Sequence, residues 1–239
     1  KRHGWQQAWA DGGGGQTEKC HYNNNQRDGR CDYWFPNGSP SQQSEYKVGK
    51  PVGVHKTFFQ SGVMSALTPY NSQGQYHGDV KRWWQSGALQ SSSHYVNGKI
   101  EGKQESWYAD GKKQQVYVYA NGKLNGEALR WYPDGTKQQA GKYVDGKPTG
   151  VHERWYQDGQ LQSKITYVDG KQEGVSTWWF ADGNVSAERS YKNGQAHGAH
   201  KTYYPSGKLQ TLREYESGKQ HGKYVIYFEN GKKSSEQSY

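Results

Sequence analysis

In 239 residues the chain carries 32 glycines, 20 tyrosines and 10 tryptophans, yet only 31% of it is hydrophobic and the mean hydropathy is −1.23. That is too little aliphatic surface for an ordinary globular core, and no stretch approaches the ~18 apolar residues of a membrane-spanning helix. The formal net charge of +9 is spread along the chain without a basic block, and aromatics that return at a fixed interval exclude a disordered chain.

The first fifty residues are the least regular. Lys1-Arg2-His3-Gly4 reads as the tail of a turn, which predicts that further residues, a signal sequence among them, precede it. An aromatic pair is reduced to Ala8-Trp9, a glycine run from Gly12 to Gly15 widens the next turn, and Asn23-Asn24-Asn25 stands where later turns have Asn-Gly or Asp-Gly. Residues 1–50 therefore read as irregular capping repeats. Cys20 and Cys31 flank the Asn24-Asn25 turn. A two-residue turn there pairs Cys20 with Gly29 and leaves Cys31 diagonal on the same face, near the upper limit of disulfide geometry. A disulfide and two buried free thiols both fit that parity, and a disulfide implies an oxidising compartment.

From residue 51 to residue 239 the chain is one regular array. Its unit is the stretch Gly102 to Tyr119, GKQESWYADGKKQQVYVY. The opening glycine recurs at Gly4, Gly29, Gly53, Gly78, Gly102, Gly126, Gly150, Gly174, Gly198 and Gly222, a spacing of 24 with two slips to 25. One slip falls in Tyr70-Asn71-Ser72-Gln73-Gly74, where a turn absorbs an extra residue. Each unit holds two turn signals. The first follows an aromatic pair, as in Trp107-Tyr108-Ala109-Asp110-Gly111, and the second follows a tyrosine, as in Tyr119-Ala120-Asn121-Gly122. Both read as two-residue type I′ turns, whose central residues need positive φ. The expected fold is all-β: an elongated, curved, single-layer antiparallel meander of about ten 24-residue β-hairpin repeats, filling residues 1–239 as a single array.

Side chains alternate across a strand, so the two faces separate by register. With a two-residue turn at Asp110-Gly111, one face takes Tyr108, Lys113, Gln115, Tyr117 and Tyr119, and by the same offsets Met64, Leu89, Leu161, Ile165, Val185 and Leu209; this is the expected core face. The opposite face sets Trp34, Phe58, Trp83, Trp107, Trp131, Trp155, Trp179, Tyr203 and Tyr227 among polar neighbours. Such a ladder stabilises neighbouring strands by itself, and an exposed stripe of Trp and Tyr also marks an interaction surface. Lys99, Lys123, Lys147 and Lys171, with Lys50 and Lys219, follow the second turn and share one edge. They serve either as edge protection or as a basic rail for an acidic protein or phospholipid headgroups. Nucleic acid is the weakest partner, since Asp145 and Asp169 interrupt the rail. The expected partner-binding residues are thus Trp83, Trp107, Trp131, Trp155, Trp179, Tyr203 and the four lysines 99, 123, 147 and 171.

No catalytic constellation stands outside the repeat. The nine histidines show no metal-ligand spacing: His197 and His200 face opposite ways on a strand, and His3, His77, His197 and His221 recur because each precedes a motif glycine. No enzyme activity, metal or cofactor is expected.

The pattern G-x-x-x-x-W-Y-x-D-G followed by Y-x-N-G-K resembles the variant MORN repeat over residues 4 to 239. Bacterial chains built wholly of this repeat are commonly classed as antitoxins, and similar proteins are immunity partners of effectors delivered by type VI secretion, including phospholipases that attack membranes from the periplasm. The resemblance implies a periplasmic protein that occludes a cognate toxin without chemistry of its own. The alternative it implies is a phospholipid-binding membrane scaffold, since the broader family has been linked to phospholipids.

Overall fold

The computed structural model describes residues 1–10 and 15–239; Gly12, Gly13 and Gly14 of the expected widened turn lie outside them. Among the described residues there are twenty-one strands and no helix. The chain divides into two units, Lys1–Lys123 and Leu124–Tyr239. In the first, the strands from Gly4–Trp9 to Lys113–Ala120 each pair antiparallel with the next in sequence. The second repeats this from Lys123–Trp131 to Lys233–Ser238, with one long strand broken at Glu173 so that Lys171–Gln172 and Gly174–Trp179 both pair with Leu161–Val168. Each unit is the all-β meander that the period predicts.

The two turns of the repeat differ, and the difference sets the register. At the second turn both central residues are left-handed, Asn121 at φ 51° and Gly122 at 80°, and the flanking residues pair as Val144 with Lys147 and Val168 with Lys171. This is the expected type I′ geometry. Asn24 and Asn25, at 47° and 68°, form the same turn without a glycine, because a short amide side chain tolerates that region. Where residues 70–74 carry the extra residue, the Asn71 N–H donates to the Gln75 carbonyl and the Gly74 N–H to the Asn71 carbonyl, so a longer turn takes it up.

The first turn is not the expected two-residue one. The Gly111 N–H donates to the Tyr108 carbonyl at 3.0 Å and the Tyr108 N–H to the Lys112 carbonyl at 2.9 Å, and only Gly111 is left-handed, at φ 85°. That is a three-residue loop, a type I turn closed by a left-handed glycine. Next to it Trp107 faces Lys113 and Gln114 is passed over, so from Ser106 opposite Gln115 onward the register is the expected one. One column of side chains changes face as a result. Leu89, Leu161, Val185, Leu209 and Met64 stand opposite Trp83, Trp155, Trp179, Tyr203 and Phe58. They belong to the tryptophan face, and Lys113 joins them there through its 3.0 Å ion pair with Glu105.

The motif glycine makes a bulge. All ten motif glycines have positive φ, from 67° at Gly53 and Gly150 to 134° at Gly126. Toward the preceding hairpin, pairing runs from Tyr22 opposite Arg27 to Cys20 opposite Cys31, a register jump of two residues around Gly29. The same jump recurs around Gly53, Gly102, Gly150, Gly198 and Gly222. A jump of two leaves each side chain on its own face. It also corrects the cysteine geometry: Cys20 lies directly opposite Cys31 rather than diagonal to it, the Cα atoms are 4.1 Å apart, and the two form a disulfide. Both sulfur residues are fully buried, with Tyr22, Tyr33 and Tyr46 around them.

With one layer of sheet, burial concentrates on the tyrosine face, where Cys20, Cys31, Ser44, His55, Ser93, Ala128, Ser163 and Ser176 are enclosed; Asp32, Val116 and Val225 are the buried residues of the other face. Small side chains down the middle let the flanking rings close over them. Neighbouring repeats are also tied at both edges. At the I′ edge the turn glycine donates to a carbonyl of the preceding repeat, as Gly146 to Leu124 at 2.7 Å and Gly170 to Pro148 at 3.0 Å. At the other edge the second aromatic reaches forward to the first aromatic's carbonyl of the next repeat: Trp84 Nε1 to Trp107, Tyr132 Oη to Trp155, Tyr156 Oη to Trp179 and Tyr204 Oη to Tyr227. The Trp-Tyr pair thus divides its labour, one ring on the face and one hydroxyl on the edge.

Candidate functional site

Each expected aromatic anchor occupies the same place, the last residue of its strand just before the three-residue turn. Trp83, Trp107, Trp131, Trp155, Trp179 and Tyr203 are all half-buried, because each has an aliphatic or lysine side chain opposite it on the same face. Lys137 Nζ lies 5.3 Å from the Trp155 ring centroid, and the Tyr203 hydroxyl donates to Glu188 at 2.8 Å. Burial first, and then that carboxylate, push the Tyr203 phenol up to about 12. Between the anchors the face is laced by Lys164–Glu153 and Lys201–Glu188 pairs, both at 3.7 Å.

Lys99, Lys123, Lys147 and Lys171 are exposed and open the strands after the I′ turns. Lysine and tryptophan therefore stand at opposite ends of the same nine-residue strands, Lys99–Trp107, Lys123–Trp131 and Lys147–Trp155, roughly 25 Å apart at the usual rise per residue. Within each unit the structure sets the anchors of successive repeats at equivalent strand ends, and the lysines likewise, but it does not bring the two sets together. Exposed valines accompany the lysines: Val96, Val144 and Val168, 40%, 54% and 52% exposed, pair across the turn with Lys99, Lys147 and Lys171.

The tyrosine face holds a second arrangement, centred on histidine. His55 is sandwiched between Tyr46 and Tyr70, His152 between Tyr143 and Tyr167, and His200 between Tyr191 and Tyr215, with ring centroids 4.5 to 5.3 Å apart. In each frame histidine Nε2 meets the carbonyl left open by the glycine bulge, that of Glu45, Lys142 or Ser190, at 2.8 to 2.9 Å. Nothing in residue type alone marks these three histidines. The legible signal is their common offset, two residues after Gly53, Gly150 and Gly198.

Burial holds the His200 imidazole below its ordinary pKa of 6.5; the bond to Ser190 opposes this and the charge of Arg189 adds to it. The folded state then binds this proton less readily than the unfolded chain. Its contribution to stability is complete above the unfolded pKa and is lost as pH falls toward the folded value. Thermal melts from about pH 7.5 down to about pH 5 should show His200→Gln losing less Tm than the parent; parallel slopes would refute the assignment.

The family model of the MORN repeat variant matches residues 76–97, 100–121, 148–169, 172–193, 196–217 and 220–239. No curated protein matches the chain. Among solved structures it is similar to a chain in the crystal structure of TcdB2-TccC3-Cdc42, at 10% identity and a TM-score of 0.20, over 98% of this chain and 17% of that one.

Proposed function

Because the chain belongs to the MORN repeat variant family, we propose that it is a binding protein of the antitoxin or immunity type, which grips a cognate toxic effector protein and occludes it without chemistry of its own. The effector in this reading is a secreted one, of the kind delivered by type VI secretion, such as a phospholipase acting from the periplasm. The observation that carries the reading is the aromatic row: the same strand position in successive repeats presents a large, half-buried ring braced by its neighbours. Rings held in place by cross-strand neighbours lose little freedom on binding, the property that makes Trp and Tyr dominate interface energetics. The buried Cys20–Cys31 disulfide supports an oxidising compartment such as the periplasm.

Affinity capture from an extract of the source cells at physiological salt should retain one stoichiometric toxic enzyme. Replacing Trp155 and Trp179 by alanine should then weaken that complex by about a hundredfold or more, in a variant whose β-sheet circular dichroism is retained. Unchanged affinity would remove the aromatic row from the interface.

A second reading, a phospholipid-binding membrane scaffold, is favoured by one observation, the alternation of exposed valine and exposed lysine along the I′ edge. An apolar and basic edge suits a headgroup interface. The two readings separate by salt: vesicle binding through this edge falls steeply as salt rises, whereas a complex centred on buried rings does not.

A further inference from the structure

The frame around His200 differs from the other two Tyr–His–Tyr frames in one respect that framework stability does not require. Two repeats earlier, His152 sits in the same Tyr–His–Tyr frame above a hollow of about 180 Å³. The positions flanking His152 in register are Gly141 and Ile165, and around His55 they are Ser44 and Thr68. At His200 they are Arg189 and Arg213, one on each neighbouring strand, and the hollow opens to about 540 Å³. A glycine, an isoleucine, a serine and a threonine serve the frame elsewhere, so the arginines are surplus to it.

Both arginines are held ready. Arg189 lies over the Trp178 ring at 5.2 Å, and Arg213 lies over Tyr224 at 4.3 Å while donating to its hydroxyl at 2.9 Å. Neither has a carboxylate within ion-pair distance among the described residues. No aspartate or glutamate lines the hollow, whereas Tyr191, Tyr215, Thr202 and Thr211 bring hydroxyls to it. Lys201 also lines it, but its ammonium is paired with Glu188. The arginines stand two strand spacings apart, roughly 10 Å at the backbone, and repel each other with His200 between them. An anion between them would relieve that repulsion, and planar guanidinium groups are the donors best matched to carboxylates.

We propose that the hollow framed by Arg189, His200 and Arg213 seats carboxylate side chains of an acidic segment of the protein partner. The inference rests on the protein-partner reading above and assigns to that partner a stretch with two or more nearby aspartates or glutamates. The charge of the chain, +9 overall, favours the approach of such a segment.

The test uses the full chain and a fluorescent, end-capped hexaglutamate peptide, with hexaglutamine as its neutral counterpart. Saturable binding of the glutamate peptide alone is expected, with a shift of the His200 ring resonance that is absent in His200→Gln. Arg189→Gln with Arg213→Gln should weaken binding at least tenfold, while Lys47→Gln with Lys103→Gln, which removes the same charge at exposed positions away from the hollow, should change it less than twofold. Equal losses in the two double variants, or an unmoved His200 resonance, would overturn the proposal. So would inorganic phosphate, or vesicles rich in anionic phospholipid, competing for the two arginines more strongly than the peptide. A captured protein partner whose affinity survives the arginine substitutions would sink the hollow and leave the protein-partner reading standing. Peptide binding through the arginines in a chain that captures no protein would do the reverse.

Discussion

Replacing Cys20 and Cys31 together by alanine should destabilise the first unit by about 3 kcal/mol, the loop-closure contribution of a bridge of this span. The bridge joins residues eleven apart, on adjacent strands of the least regular repeats. Three features concentrate the effect there. Both cysteines are fully buried, Tyr22, Tyr33 and Tyr46 cover them, and Cys20 Sγ lies 3.3 Å from the Tyr33 hydroxyl, whose phenol is pushed up to about 12 by that burial. Hydrogen exchange reads the result by segment. Amides of Gln16–Asn23 and Gln26–Trp34 should lose protection in the double variant, whereas Leu161–Val168 in the second unit should keep it. Loss spread evenly over both units, or no loss, would mean that the bridge does not brace this end. A repeat array tolerates such local loosening because each repeat depends on its neighbours.

The period, the hairpins and the I′ turns were legible because each rests on a local rule: Asn121-Gly122 needs two left-handed residues, and few dipeptides supply them. The first turn was misread because Asp110-Gly111 satisfies the same dipeptide rule while only its glycine is left-handed. Pro36, Pro133 and Pro205 carried the missing signal. Each stands just before the Asn-Gly, Asp-Gly or Ser-Gly pair, at the second position of a type I turn, where proline is favoured. The error moved Leu89, Leu161, Val185 and Leu209 across the sheet, and so made the tryptophan row look barer than it is. The motif glycine was visible as a mark of the repeat, but its physical role was not. A two-residue register jump leaves facial alternation unchanged, and so it writes no trace in the hydrophobic pattern. Its trace is in the distance between Cys20 and Cys31, and in the histidines that fill the opened ladder. Arg189 and Arg213 were hidden for a further reason: they become a pair only when strands are laid side by side, since twenty-four residues separate them in sequence.

The strongest test of this bulge is a pair of glycines around one histidine. Gly150 is left-handed at φ 67°, and a Cβ built on it meets nothing within 4 Å. Gly150→Ala should therefore cost only backbone strain, about 1–2 kcal/mol. Gly141 is not left-handed, but a Cβ built on it would lie 2.6 Å from His152 Cε1 and 2.8 Å from Cγ. The ring would have to leave its place, giving up the 2.9 Å bond to the Lys142 carbonyl and its contacts with Tyr143 and Tyr167. Gly141→Ala should cost roughly 2–3 kcal/mol, the sum of one hydrogen bond and two ring contacts. Both substitutions add one methyl group to the same bulge, so the parent background alone does not separate strain from collision. A double-mutant cycle with His152→Ala does. Without the imidazole, Gly141→Ala has nothing to displace and should become neutral or slightly stabilising, since alanine restricts the unfolded chain more than glycine does. Gly150→Ala should cost the same in either background, because its strain lies in its own φ. Equal costs for Gly141→Ala with and without His152, measured by denaturant melts, would show that the histidine does not hold the opened ladder together.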